Sequence, residues 1–97
     1  MDFHTFQESL HRSTPPQNTS VYLQALWYEA NGNWQKAHDI IQELPDRTAA
    51  WIHAYLHRQE GDTGNADYWY RRAGRQRPQQ ALEKEWESIA TKLLEEV

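Results

Sequence analysis

His53 and His57 stand four residues apart, with Glu60 three further on. On a helix this spacing presents two imidazoles and a carboxylate on one face, a donor set suited to a divalent transition metal. The pattern is not His-Glu-x-x-His, because Ala54 occupies the position of the general base. A further ligand must therefore come from elsewhere in the chain, and His38 is the candidate. The competing and leading reading is structural: both histidines occupy helix-packing positions, hydrogen-bonded to neighbouring Tyr, Asp or Asn.

A second group of residues suits recognition rather than chemistry. Trp51, Tyr55, Tyr68, Trp69 and Tyr70 fall close together in the chain. Trp69 and Tyr70 lie at packing positions and are expected to be buried, whereas Trp51, Tyr55 and Tyr68 are the expected surface patch, since Trp and Tyr are rich in interface hot spots. Arg71, Arg72, Arg75 and Arg77 form a basic run. Cations at a helix C-terminus complement the helix dipole, and the same run can hold an anionic group, with Glu83, Glu85, Glu87, Glu95 and Glu96 as its counterpart. Residues that would indicate an enzyme are lacking: there is no Gly-rich phosphate loop, no cysteine and no nucleophile elbow. Glu60 and Asp62 are paired carboxylates, but Asp62 at a turn is more simply an N-cap.

Composition sets the frame for these groups. In 97 residues the hydrophobic fraction is 38%, yet five Trp, five Tyr and two Phe concentrate apolar area in few side chains, enough for one modest core. The net charge of -4 argues against a general polyanion binder, so nucleic acid is an unexpected partner. Without cysteine there is no disulfide and no thiolate ligand. No apolar run reaches membrane-spanning length, and Met1-Asp2-Phe3-His4 does not begin a signal peptide, so the expected location is cytoplasmic, with no membrane contact.

The elements that position these residues are helices. Phe3, Phe6 and Leu10 recur at helical spacing up to Pro15-Pro16. Asn18, Thr19 or Ser20 caps a second helix carrying Val21, Ala25 and Tyr28 to the break at Asn31-Gly32-Asn33. Trp34, Ala37, Ile40, Ile41 and Leu44 mark a third, closed by Pro45. Asp46 or Thr48 caps a fourth, through Trp51, Ala54, Tyr55 and Arg58 to Gly61-Asp62. A fifth carries Ala66, Trp69, Tyr70 and Ala73 and ends at Gly74. Leu82, Trp86, Ile89, Ala90, Leu93 and Val97 draw the apolar stripe of an amphipathic last helix. The expectation is an all-α single domain over residues 1–97.

Placing Gly32-Asn33 on Gly61-Asp62 puts Ala25 on Ala54, Ala37 on Ala66, Ile41 on Tyr70 and Leu44 on Ala73. From Val21 to Pro78 the chain resembles the tetratricopeptide repeat, with small residues where two helices approach and a larger one four positions later. The copies sit closer than the roughly 34 residues of that family. Gln24 and His53 stand where leucine is usual, and Tyr28 and His57 at the later aromatic position. The resemblance implies two helix-turn-helix hairpins, at about residues 20–45 and 47–78, between a short first helix and a capping helix over residues 79–97. The segment from Trp51 to Arg72 is also similar to small uncharacterised bacterial proteins, which brings no activity with it.

Together these readings lead to a helical protein- or peptide-binding module, an adaptor or complex subunit, with Trp51, Tyr55, Arg58, Tyr68 and Arg72 as the contact residues and no cofactor. The alternative is a small metal- or His-dependent site centred on His53, His57 and Glu60. A third possibility is a structural homodimer that buries the exposed aromatics.

Overall fold

Ser20, Asn33, Asp46 and Asp62 each accept a hydrogen bond at the side chain from the backbone N–H three residues on, and each opens a helix. A computed structural model describes residues 1–95 and shows six α-helices: α1 (Phe3–Glu8), α2 (Val21–Ala30), α3 (Trp34–Gln42), α4 (Arg47–Gln59), α5 (Thr63–Arg72) and α6 (Leu82–Glu95). The first helix is shorter than its apolar spacing predicts, because it tightens into a 3-10 turn over Ser9–His11 before the prolines. No strand occurs among the described residues, and none of their helices is long and apolar enough to cross a membrane. Val97 of the expected apolar stripe and Glu96 of the expected acidic set lie outside the described residues.

The turns after α2 and α4 are built alike. Gly32 and Gly61 take φ of +84° and +86°, a region open to glycine because it lacks Cβ. In each turn a backbone N–H returns to the last helical turn, Asn33 to the Tyr28 carbonyl at 2.8 Å and Asp62 to the His57 carbonyl at 2.9 Å, the Schellman closure. The residues whose backbone N–H groups close the turns then cap the next helix with their side chains. Such short links fold α2 onto α3 and α4 onto α5. Ala25, Ala37, Ala54 and Ala66, the small residues aligned between the two copies, are all fully buried, as helices in close approach require.

Helix α4 is the centre of the molecule, packed by α2, α3, α5 and α6. Every residue from Ala49 to His57 is buried, so only the ends of the helix, at Arg47 and Gln59, are exposed. The last helix lies across α1, α2 and α4, where Trp86 stacks on Phe6 with ring centroids 5.7 Å apart and donates its indole N–H to the Leu26 carbonyl.

This placement of α6 corrects the expected surface patch. Trp51 and Tyr55 are buried, at 8% and 3% exposure. The Trp51 indole donates to Glu85 on α6, and the Arg75 guanidinium lies 3.4 Å from the centre of its ring. Arg58 points inward as well, donating to Glu85 at 2.9 Å and to the Gln80 carbonyl. The cap covers the side of the second hairpin that was expected to be open. Glu85 is thus not a partner of the arginine run: Arg77 pairs with Asp67 at 2.8 Å, and Arg75 covers Trp51.

Candidate functional site

Two helices bring three histidines together and a third helix closes over them. His38 stands one turn after Trp34 on α3, His53 and His57 one turn apart on α4, and Trp69 on α5 closes the other side. The Nε2 atoms of His38 and His53 are 3.1 Å apart. The His53 and His57 rings are stacked at 4.9 Å, and the His38 ring meets both edge-on at 4.8 and 5.5 Å. One ligand nitrogen from each of His38, His53 and His57 lies within 4.8 Å of the other two. His38, the candidate from elsewhere in the chain, therefore lies beside the His53 and His57 pair.

The surroundings fix these rings. Trp34 stacks on His38 at 4.9 Å and is itself anchored by its indole N–H on the Leu56 carbonyl at 2.8 Å. Trp69 stacks on His53 at 3.9 Å. Glu60 Oε1 is 2.7 Å from His57 Nδ1, and Asn65 Nδ2 is 3.3 Å from His57 Nε2. A carboxylate accepts from Nδ1–H and the asparagine amide donates to Nε2, so both ring nitrogens of His57 have partners, and Nε2 would have to exchange Asn65 for an ion in order to ligate one. Glu60 thus acts on His57 rather than beside it. Glu60, expected on one face with the two histidines, is hydrogen-bonded to His57 Nδ1, where an outer carboxylate would orient a histidine that held a metal.

Electrostatics favour neutral rings. Burial, followed by the neighbouring His38 and His57, pushes His53 down to about 4. Burial and His57 also lower His38. Both imidazoles are uncharged at neutral pH, the state in which a histidine nitrogen can bind a metal.

Metal-to-imidazole distances of about 2.0–2.1 Å put two nitrogens on one ion about 3.0 Å apart at a right angle and about 3.3 Å apart at a tetrahedral one. The observed 3.1 Å between His38 and His53 falls between the two. Glu60 and Asp62 with His57 form another close group, but both carboxylates are exposed and Asp62 caps α5.

Of the expected contact residues, Tyr68 and Arg72 remain on the surface. Tyr68 is 44% exposed, and Arg72 donates to its hydroxyl at 3.1 Å while lying over the Tyr68 and Trp69 rings. Tyr70 is buried as expected, and Trp69 is half-buried. Sequence reading missed Trp34 and Asn65 as parts of the histidine cluster. Trp34 falls one helical turn before His38, and Asn65 lies eight residues after His57, across the turn into α5, spacings that point to neither unless the helix pairing is known.

Compared with protein-family models, curated proteins and solved structures, the chain matches none.

Proposed function

We propose that this chain is a small helical metal-binding protein that holds one divalent transition-metal ion of the zinc class on His38, His53 and His57. The observation that carries this reading is the approach of the His38 and His53 Nε2 atoms to 3.1 Å beside a third histidine oriented by Glu60. A packing role accounts for one buried histidine with a partner. It accounts less well for His53, a buried ring whose only hydrogen-bonding neighbour among the described residues is another imidazole. Imidazole donors suit zinc, copper, nickel and iron. Three protein ligands leave a coordination position for water or a ligand, and a bound ion would supply Lewis acidity there.

Zinc added to tag-free protein should bind at one equivalent, shift the ring signals of His38, His53 and His57 in NMR spectra, and leave His4 and His11 unmoved. His38→Ala should weaken binding about tenfold or more, and Glu60→Gln, which touches no metal, should weaken it by a factor of about 10–100. Uptake well below one equivalent, or shifts that favour His4 and His11, would sink the reading.

The protein-binding reading survives in a narrower form. Its support is the α5 face, where an exposed Tyr68 is backed by Trp69 and Arg72. Such aromatic and arginine pairings are common interface anchors. Tyr68→Ala with Arg72→Ala should remove any specific partner recovered by the intact protein while leaving its helix content unchanged. Retention of every partner by that variant counts against this surface.

A further inference from the structure

On the opposite side of α4 from the histidines lies a cleft of about 520 Å³, open to solvent, between α1, α2, α4 and the start of α6. Residues two apart on a helix point about 200° away from one another, so Tyr55 and Gln59 face this cleft while His53 and His57 face the other way. Its volume falls within the range of small-molecule sites, about 300–1,000 Å³.

At the cleft stands Glu29 of α2, 7% exposed. Gln59 donates to its Oε1, but its buried Oε2 has no hydrogen-bond partner among the described residues. A buried carboxyl oxygen left unpaired costs about 1–3 kcal/mol or more, and the pull of Gln59, Tyr55 and Trp86 does not offset the burial of Glu29, so the position has a use for a further donor from outside the chain. The walls are apolar: Phe3 and Trp86 meet edge-to-face at 6.0 Å, with Leu10 beside them. At the rim Glu83 and Glu87 outnumber Lys84, so the field at the mouth is negative even before Glu29 ionises.

We infer that this cleft binds a small organic cation, an amine or guanidine carried on an apolar or aromatic body, whose N–H group donates to Glu29 Oε2 while the body packs against Phe3, Leu10 and Trp86. An acidic rim excludes anions, the unpaired acceptor selects a donor, and the apolar wall selects a hydrophobic body over a bare ammonium or metal ion. The inference is independent of the histidine site. Burial raises Glu29 to about 7 against the opposing pull of Gln59, Tyr55 and Trp86, so a bound cation would also recover the free energy of ionising it.

The probes are 2-phenylethylamine, protonated at neutral pH, and the neutral isostere 2-phenylethanol, titrated into the full chain and followed by amide NMR. The amine should give saturable shifts at Tyr55 and Gln59 and bind at least about tenfold more tightly than the alcohol, the difference expected of one charge-assisted hydrogen bond. Glu29→Gln should lose that tenfold preference while the alcohol binds as before. Equal binding of amine and alcohol to the intact protein overturns the inference without reference to any variant. So does the absence of saturable shifts with the amine, or an unchanged preference in Glu29→Gln.

Discussion

Glu85→Ala should be among the most destabilising single substitutions in this chain, lowering the free energy of unfolding by about 3–5 kcal/mol. Glu85 is 1% exposed, on the buried face of α6, and is the shared acceptor of three donors. The Tyr70 hydroxyl reaches both carboxylate oxygens at 2.7 Å, Arg58 donates at 2.9 Å and the Trp51 indole at 3.2 Å. Removing the carboxylate leaves a mostly buried guanidinium without its counter-charge, and leaves the Tyr70 and Trp51 donors without an acceptor. A domain of this size holds only about 5–15 kcal/mol in all, so the loss is a large fraction. Guanidinium unfolding followed by far-ultraviolet circular dichroism measures it. The cause is an orphaned charge more than a lost attraction, so Glu85→Leu combined with Arg58→Met should recover part of the stability. A loss below about 1 kcal/mol for Glu85→Ala, the size of an ordinary surface substitution, would mean that water replaces the carboxylate.

Glu85 also marks where the sequence was legible and where it was not. The helices, their caps at Ser20, Asp46 and Asp62, and the turns at Gly32 and Gly61 follow from local chemistry, because a cap or a left-handed glycine is decided within a few residues. The pairing of His53 with His57 is equally local. Which face of α4 the last helix would cover depends on packing between residues far apart in the chain, and no local signal carries it. Trp51, Tyr55 and Arg58 were therefore expected at a surface that α6 closes. One clue was available: Glu85 falls between Leu82 and Ile89 on the apolar stripe of α6, and Glu29 lies one turn beyond Ala25 on that of α2. A carboxylate on an apolar stripe is buried with a partner or beside a cavity, and here Glu85 is the first case and Glu29 the second.

In metal-free protein, Glu29 and His53 should impose opposite pH dependences on stability. Glu29 rises from 4.5 in the unfolded chain to about 7 when folded. Between those values the folded state binds more protons than the unfolded one, so stability is greatest below the lower value and falls as pH rises through the upper one. His53 falls from 6.5 to about 4, so in that window the unfolded state binds the extra proton and stability is lost as pH drops. Each shift corresponds to about 3 kcal/mol at most. Between about pH 4.5 and 6.5 the two slopes offset each other, and above that range only the Glu29 loss continues. Glu29→Gln removes the falling slope and keeps the shape of the side chain. In chelator-treated samples it should match the intact protein near pH 4 and exceed it by roughly 2–3 kcal/mol near pH 8, with the His53 rise exposed between them. Denaturant midpoints measured across that range decide the matter. Parallel curves for the two proteins would show that Glu29 ionises freely in the folded chain, and that the buried oxygen facing the cleft is already served by water.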